Sequence, residues 1–162
     1  MKHILILSLT LILFSCSSDN GTYKKSSNIS NMLLSSIPNP WVEISAEGSD
    51  YALSNEKTQS IFLFNSACRK YEASNLNVLT SSILSGLDEL KILDKKNIFH
   101  QEREADEVLA SGKLDGVLRF FKIVTVQKNN CIYDYVLISK SINKIQEDTP
   151  AMNTFLARII LK

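Results

Sequence analysis

The chain has 162 residues, with 18 basic and 17 acidic side chains, two histidines, three cysteines and a formal net charge of +1. That length is one domain's worth and enough to bury a real core. Charge so evenly balanced leaves no basic footprint for nucleic acid and no pull toward an anionic bilayer surface, so neither is expected as a charge-driven partner.

Met1, Lys2 and His3 precede an apolar run from Ile4 to Phe14, broken only by Ser8 and Thr10. As a helix this run would span roughly 16 Å against a hydrocarbon core of about 30 Å, so it is too short to cross a membrane. A basic start, a short apolar segment and a small residue at the cut are the parts of a secretory signal, here residues 1–15 ending at Ser15. An ordinary cut wants a small residue where Leu13 stands. Leu13-Phe14-Ser15-Cys16 instead resembles the lipobox of bacterial lipoproteins. The resemblance implies that the Cys16 sulfur carries diacylglycerol and that its freed amine is acylated as well. Two or more chains anchor stably where one holds only marginally. Ser17 follows the cysteine in place of aspartate, and the resemblance then implies the outer membrane with the domain facing the periplasm, the inner membrane being the alternative.

Residues 16–39 run through Ser, Asn, Asp, Gly and Lys to Ile37-Pro38-Asn39-Pro40. Small polar residues cannot bury enough surface to offset ordering entropy, so a flexible tether is expected here. Asn28-Ile29-Ser30 matches a glycosylation sequon, which carries no meaning at a bacterial address.

Residues 40–162 read as a single globular domain. Trp41-Val42-Glu43-Ile44-Ser45 alternates like a strand, Glu47-Gly48-Ser49-Asp50 turns into Tyr51-Ala52-Leu53, and Gln59 to Cys68 forms another strand. Leu76, Leu79, Ile83, Leu87 and Leu90 recur at helical spacing behind a Ser74 or Asn75 cap, with Gly86 inside the helix. Phe99 to Leu109 reads as part of a strand pair. The clearest unit is a hairpin from Gly116–Gln127 to Cys131–Ser139, turning at Asn129-Asn130, since asparagine tolerates the positive φ of a tight turn. That turn sets Thr125 opposite Asp134, Val124 opposite Tyr135 and Val126 opposite Tyr133. Both faces of the hairpin are apolar, which marks a central position covered on both sides. Thr149-Pro150 would start a closing amphipathic helix carrying Met152, Phe155, Leu156, Ile159 and Ile160. The class is therefore α+β, a central antiparallel sheet flanked by two helices. This element order, with a tryptophan near its start and an amphipathic helix at its end, resembles the PsbP-like α/β/α fold. Members of that group bind or assist larger membrane complexes more often than they catalyse.

The candidate chemistry is sparse. Cys68 and Cys131 sit at strand ends, and an exported domain meets an oxidising compartment, so they form a candidate disulfide, with two separate buried thiols as the alternative. His3 would leave with the leader, making His100 the only histidine, and no zinc pattern, Gly-x-Ser-x-Gly elbow or phosphate loop is present. Glu102, Glu104, Asp106 and Glu107 read as a solvated face neutralised by Arg103 and Lys95-Lys96. Asp134 falls on an apolar strand face where an unpaired carboxylate is costly. Thr125 is its expected hydrogen-bond partner and Arg119 a possible neighbour, the three forming either a structural polar pair or the floor of a ligand pocket. No metal, cofactor or catalytic residue is expected. The reading is a membrane-anchored envelope lipoprotein, non-catalytic, acting as a binding or accessory subunit with an envelope protein partner. A small envelope enzyme, or a carrier of lipid or another small apolar ligand, is the alternative.

Overall fold

Runs of β-branched and aromatic residues pair into one antiparallel sheet in the computed structural model, which describes residues 37–68 and 75–161. The lipobox, Cys16 and the linker up to residue 36 lie outside the described residues. In chain order the strands are β1 (Trp41–Glu43), β2 (Tyr51–Asn55), β3 (Ile61–Cys68), β4 (Asp88–His100), β5 (Arg103–Leu114), β6 (Val117–Lys128) and β7 (Cys131–Ser139). Helix α1 (Leu76–Leu84) joins β3 to β4, and helix α2 (Ile142–Arg158) follows β7. In space the strands run β1-β2-β3-β7-β6-β5-β4, so the hairpin β6–β7 is central, with β3 pairing on the outer side of β7.

That hairpin forms in the register its turn dictates. Asn129 and Asn130 adopt φ of 52° and 60°, and Val124, Thr125 and Val126 face Tyr135, Asp134 and Tyr133. Because side chains alternate across a strand, the sheet then has two apolar faces. One face carries Phe62, Phe64, Val124, Val126, Tyr135 and Leu137 and packs against Ile145, Met152, Phe155 and Leu156 of α2. Trp41 meets Phe155 edge-on at 5.4 Å between ring centroids, and Phe62 lies 4.9 Å from it. The other face carries Val108, Ala110, Phe121, Ile123 and Val136 under Leu84 and Ile83 of α1. Ile37, at the end of the expected linker, packs against the α2-side core.

Three expectations are corrected. Helix α1 stops at Leu84, so Leu87 and Leu90 are not on its stripe and Gly86 lies beyond it. The Ser82 and Ser85 hydroxyls bond back to the carbonyls of Leu79 and Ser82, a competition that weakens the end of a helix. Leu87 then lies over Gly112, where a Cβ would come within 3.0 Å of the leucine Cβ, and Leu90 belongs to β4. Helix α2 starts at Ile142 behind an Ser141 cap, with Pro150 inside it. It extends so far back because Ile145 and Asp148 already face the sheet: Asn55 Nδ2 donates to Asp148 Oδ1 at 2.8 Å and Thr58 Oγ1 to Asp148 Oδ2 at 2.7 Å. The acidic run is a solvated face only in part: Glu102 and Glu104 are exposed and Lys95 and Lys96 pair with Asp106 and Glu107 as expected, but Asp106 and Glu107 are turned in from solvent. It forms the start of β5, whose alternation sends Asp106 inward at 1% exposure and lays Glu107 between Lys96 at 2.9 Å and Lys122 at 3.4 Å.

Candidate functional site

The α1-side apolar cluster ends abruptly in a row of polar residues crossing five strands. One step along each strand from Val108, Ile123, Val136 and Leu63 lie Asp106, Thr125, Asp134 and Asn65, and cross-strand pairing sets Asn97, Asp106, Thr125, Asp134 and Asn65 side by side. Thr125 is fully buried and its hydroxyl donates to Asp134 Oδ1 at 3.0 Å. Asn65 Oδ1 accepts from the Asp50 amide at 3.2 Å. Asp106 has no hydrogen-bond donor on either carboxylate oxygen, although Lys95 Nζ lies 3.3 Å from Oδ2.

The Asp106 end of this row opens into a cleft of about 1070 Å³ between the N-terminus of α1 and the β4–β5 hairpin. Its lining comes from three places. Helix α1 supplies Asn75, Leu76 and Asn77, strand β4 supplies Lys95, Asn97 and Phe99, and the β4–β5 turn with the adjoining strands supplies Glu102, Arg103, Glu104, Asp106 and Gln127. The turn is tight, with Gln101 and Glu102 at φ of 46° and 64°. Asn75 caps α1 by accepting from the Asn77 amide at 2.9 Å. Lys95 Nζ donates to Asn77 Oδ1 while facing Asp106, so one lysine holds the helix start against the buried carboxylate.

The structure brings Asp134 and Thr125 together but leaves Arg119 out. Arg119 pairs with Gly112, near the start of β6, and its guanidinium donates to the Leu118 carbonyl. Six residues separate it from Thr125, roughly 20 Å along a strand. Cys68 and Cys131 face each other across β3 and β7 and are bonded through their sulfurs. His100 takes the opposite face from Phe99: its ring lies edge-on to Tyr135 with Nε2 3.4 Å from the tyrosine hydroxyl oxygen, and burial lowers its pKa. On that same side the space between sheet and α2 is filled by Trp41, Phe62, Met152 and Phe155. The Tyr51 hydroxyl is buried without a partner, and burial, helped by Glu43, pushes its pKa up to about 12. Sequence reasoning missed Asp106, Asn97 and Gln127 as neighbours. The usable signal was the alternation Glu104, Asp106, Val108, Ala110, which places Asp106 on an apolar face once β5 is read as a strand.

Burial raises the Asp134 pKa to about 6, against a lowering contribution from the Thr125 hydroxyl. A carboxyl whose folded pKa lies above its unfolded value binds its proton more tightly when folded, so stability falls as pH rises between the two values and stays lower above both. The shift from 3.8 to about 6 corresponds to about 3 kcal/mol. Asp134→Asn, which keeps an oxygen for Thr125, is expected to flatten the dependence between about pH 4 and pH 6 and to be more stable than wild type at pH 7. Denaturant melts of both proteins across that range check this, and parallel pH profiles would refute it.

The sequence matches no protein-family model and no curated protein. Among solved structures, the cyanobacterial PsbP (CyanoP) of Synechocystis sp. PCC 6803 superposes with a TM-score of 0.55 at 6% identity, over 77% of this chain and 84% of that one. PA94 of Pseudomonas aeruginosa, a protein of unknown function, superposes with a TM-score of 0.54 at 10% identity, over 75% and 81%. LpqN of Mycobacterium tuberculosis, involved in cell envelope biogenesis, reaches a TM-score of 0.45 at 11% identity, over 76% and 77%. At these identities the first two likenesses speak to architecture alone: the chain is similar in fold to PsbP.

Proposed function

We propose that the chain is a lipoprotein of the bacterial envelope, anchored through acylated Cys16 on the outer membrane and facing the periplasm. Its domain serves as a non-catalytic binding or accessory subunit for other envelope components. The anchor rests on Leu13-Phe14-Ser15-Cys16. The binding role rests on one observation: the polar cleft is walled by carboxamides, a buried carboxylate and an aromatic ring, groups that hold and orient a ligand. The imidazole best suited to proton transfer near neutral pH lies against Tyr135 on the other face of the sheet.

The test has two arms. Growth with an alkyne fatty acid is expected to label wild type and not Cys16→Ser, and the variant is expected to leave the membrane fraction. Cross-linking of the acylated protein in intact membranes is then expected to return one stoichiometric envelope protein. An unlabelled wild type would overturn the anchor, and the absence of any stoichiometric partner would overturn the accessory role.

A further inference from the structure

We infer that the cleft beside α1 binds a neutral polyhydroxylated ligand, the chemistry of a glycan segment. The inference names a ligand for the binding module proposed above and rests on that reading.

Three features of the cleft converge on hydroxyl groups. Asp106 is 1% exposed, lines the cleft, and makes no hydrogen bond through Oδ1 or Oδ2, although the Lys95 ammonium forms an ion pair with Oδ2 at 3.3 Å. The ion pair offsets part of the cost of burying this carboxylate, but Oδ1 is left without a donor, and a ligand hydroxyl is a donor that would supply one. The carboxamides of Asn97 and Gln127 make no hydrogen bond among the described residues, and Asn77, whose Oδ1 is taken by Lys95, keeps its amino group for a ligand. A carboxamide both donates and accepts, which matches a hydroxyl, itself both donor and acceptor. Phe99 stands at 78% exposure on the same face as Lys95 and Asn97, beside these polar groups. An exposed ring at the rim of a polar cleft offers an apolar platform, which suits the C–H face of a sugar ring.

Other ligand classes fit less well. Lys95 and Arg103 oppose Glu102, Glu104 and Asp106, so no single sign of charge dominates to draw in an anion or a cation. Among the described residues no group of His, Cys, Asp and Glu is arranged to hold a metal. A lipid chain would strand the buried carboxylate and the amides against hydrocarbon.

Full-length acylated protein in a detergent without a sugar headgroup, titrated calorimetrically with chitotetraose, maltotetraose and xylotetraose, tests this. Wild type is expected to bind at least one of them with a dissociation constant on the order of millimolar or tighter. Phe99→Ala is expected to weaken that binding roughly threefold to tenfold, and Asp106→Asn to weaken it as well. Phe99 is exposed, so an unchanged melting curve for Phe99→Ala separates lost binding from lost fold. The inference is overturned if wild type binds none of the three, if Phe99→Ala and Asn97→Ala both bind as wild type does, or if glutamate or spermidine binds the cleft in their place. Each of these results would leave the labelling of Cys16 and the cross-linked partner untouched, so failure here is distinct from failure of the envelope reading.

Discussion

Phe155→Ala is expected to lower the free energy of unfolding by about 3–5 kcal/mol, the usual cost of truncating a buried aromatic. Phe155 is 1% exposed and is the residue through which α2 grips the sheet. Its ring contacts both Trp41 before β1 ends and Phe62 in the middle of β3. Truncation would open a cavity bordered by these two rings, and the Trp41 backbone is held in place by its N–H, which donates to the Pro38 carbonyl oxygen at 2.9 Å. A domain of this size commonly has only about 5–15 kcal/mol to lose, so the variant is expected to be marginal. Urea melts followed by tryptophan fluorescence read the loss directly, since the single tryptophan is one of the two ring neighbours. Phe155→Leu, keeping most of the volume, is expected to cost much less; equal losses for the two variants would show that the site is not tightly packed.

Replacing both Cys68 and Cys131 with serine is expected to lower stability by about 4 kcal/mol in the chain-entropy model, which treats the bond as a restraint on the unfolded chain. The bond spans a sequence separation of 63, and the residues it encloses include α1, β4, β5 and β6. In the folded state the two strands are already in register from Ile61↔Ile138 to Cys68↔Cys131, so the native contacts should survive the substitution. Equilibrium melts of the oxidised wild type, the reduced wild type and the double variant check this. The two thiol-lacking or reduced forms are expected to agree with each other, and a reduced protein as stable as the oxidised one would contradict the expectation.

How far the chain could be read in advance depended on how local each contact is. The β6–β7 hairpin was legible because Asn129-Asn130 fixes its register and because both strands are apolar on both faces. The pair Thr125 and Asp134 came with it, since a nine-residue separation crosses a single turn. Pairing of β3 with β7 joins segments far apart in sequence, so the sheet order needed the structure. Strand β4 was hidden because its register shifts between Asp88 and Lys91 and between Ile92 and Asp94, which breaks the period of two that marks a strand. The start of α2 was hidden by Asp148 on its buried stripe and Pro150 in its interior, two residues that argue against a helix until Asn55 and Thr58 supply the carboxylate's partners. Helical spacing ran on to Leu87 and Leu90 by coincidence, past the point where α1 ends. The cleft was least legible of all. It collects Asn77, Asn97, Asp106 and Gln127 from four elements, and only the paired register of β4, β5 and β6 makes them neighbours.

The sheet order has a mechanical consequence. Ile37 leads into β1 at one margin of the sheet, while the cleft lies beside β4 at the other. Six interstrand steps of about 4.8 Å put the two margins roughly 29 Å apart, and a twist of about 20–25° per step turns them through more than a right angle. The entering segment and the cleft therefore lie toward opposite margins of the sheet. A partner that reaches the opening approaches from the margin far from the point where the chain enters the sheet, so the entering segment does not crowd it.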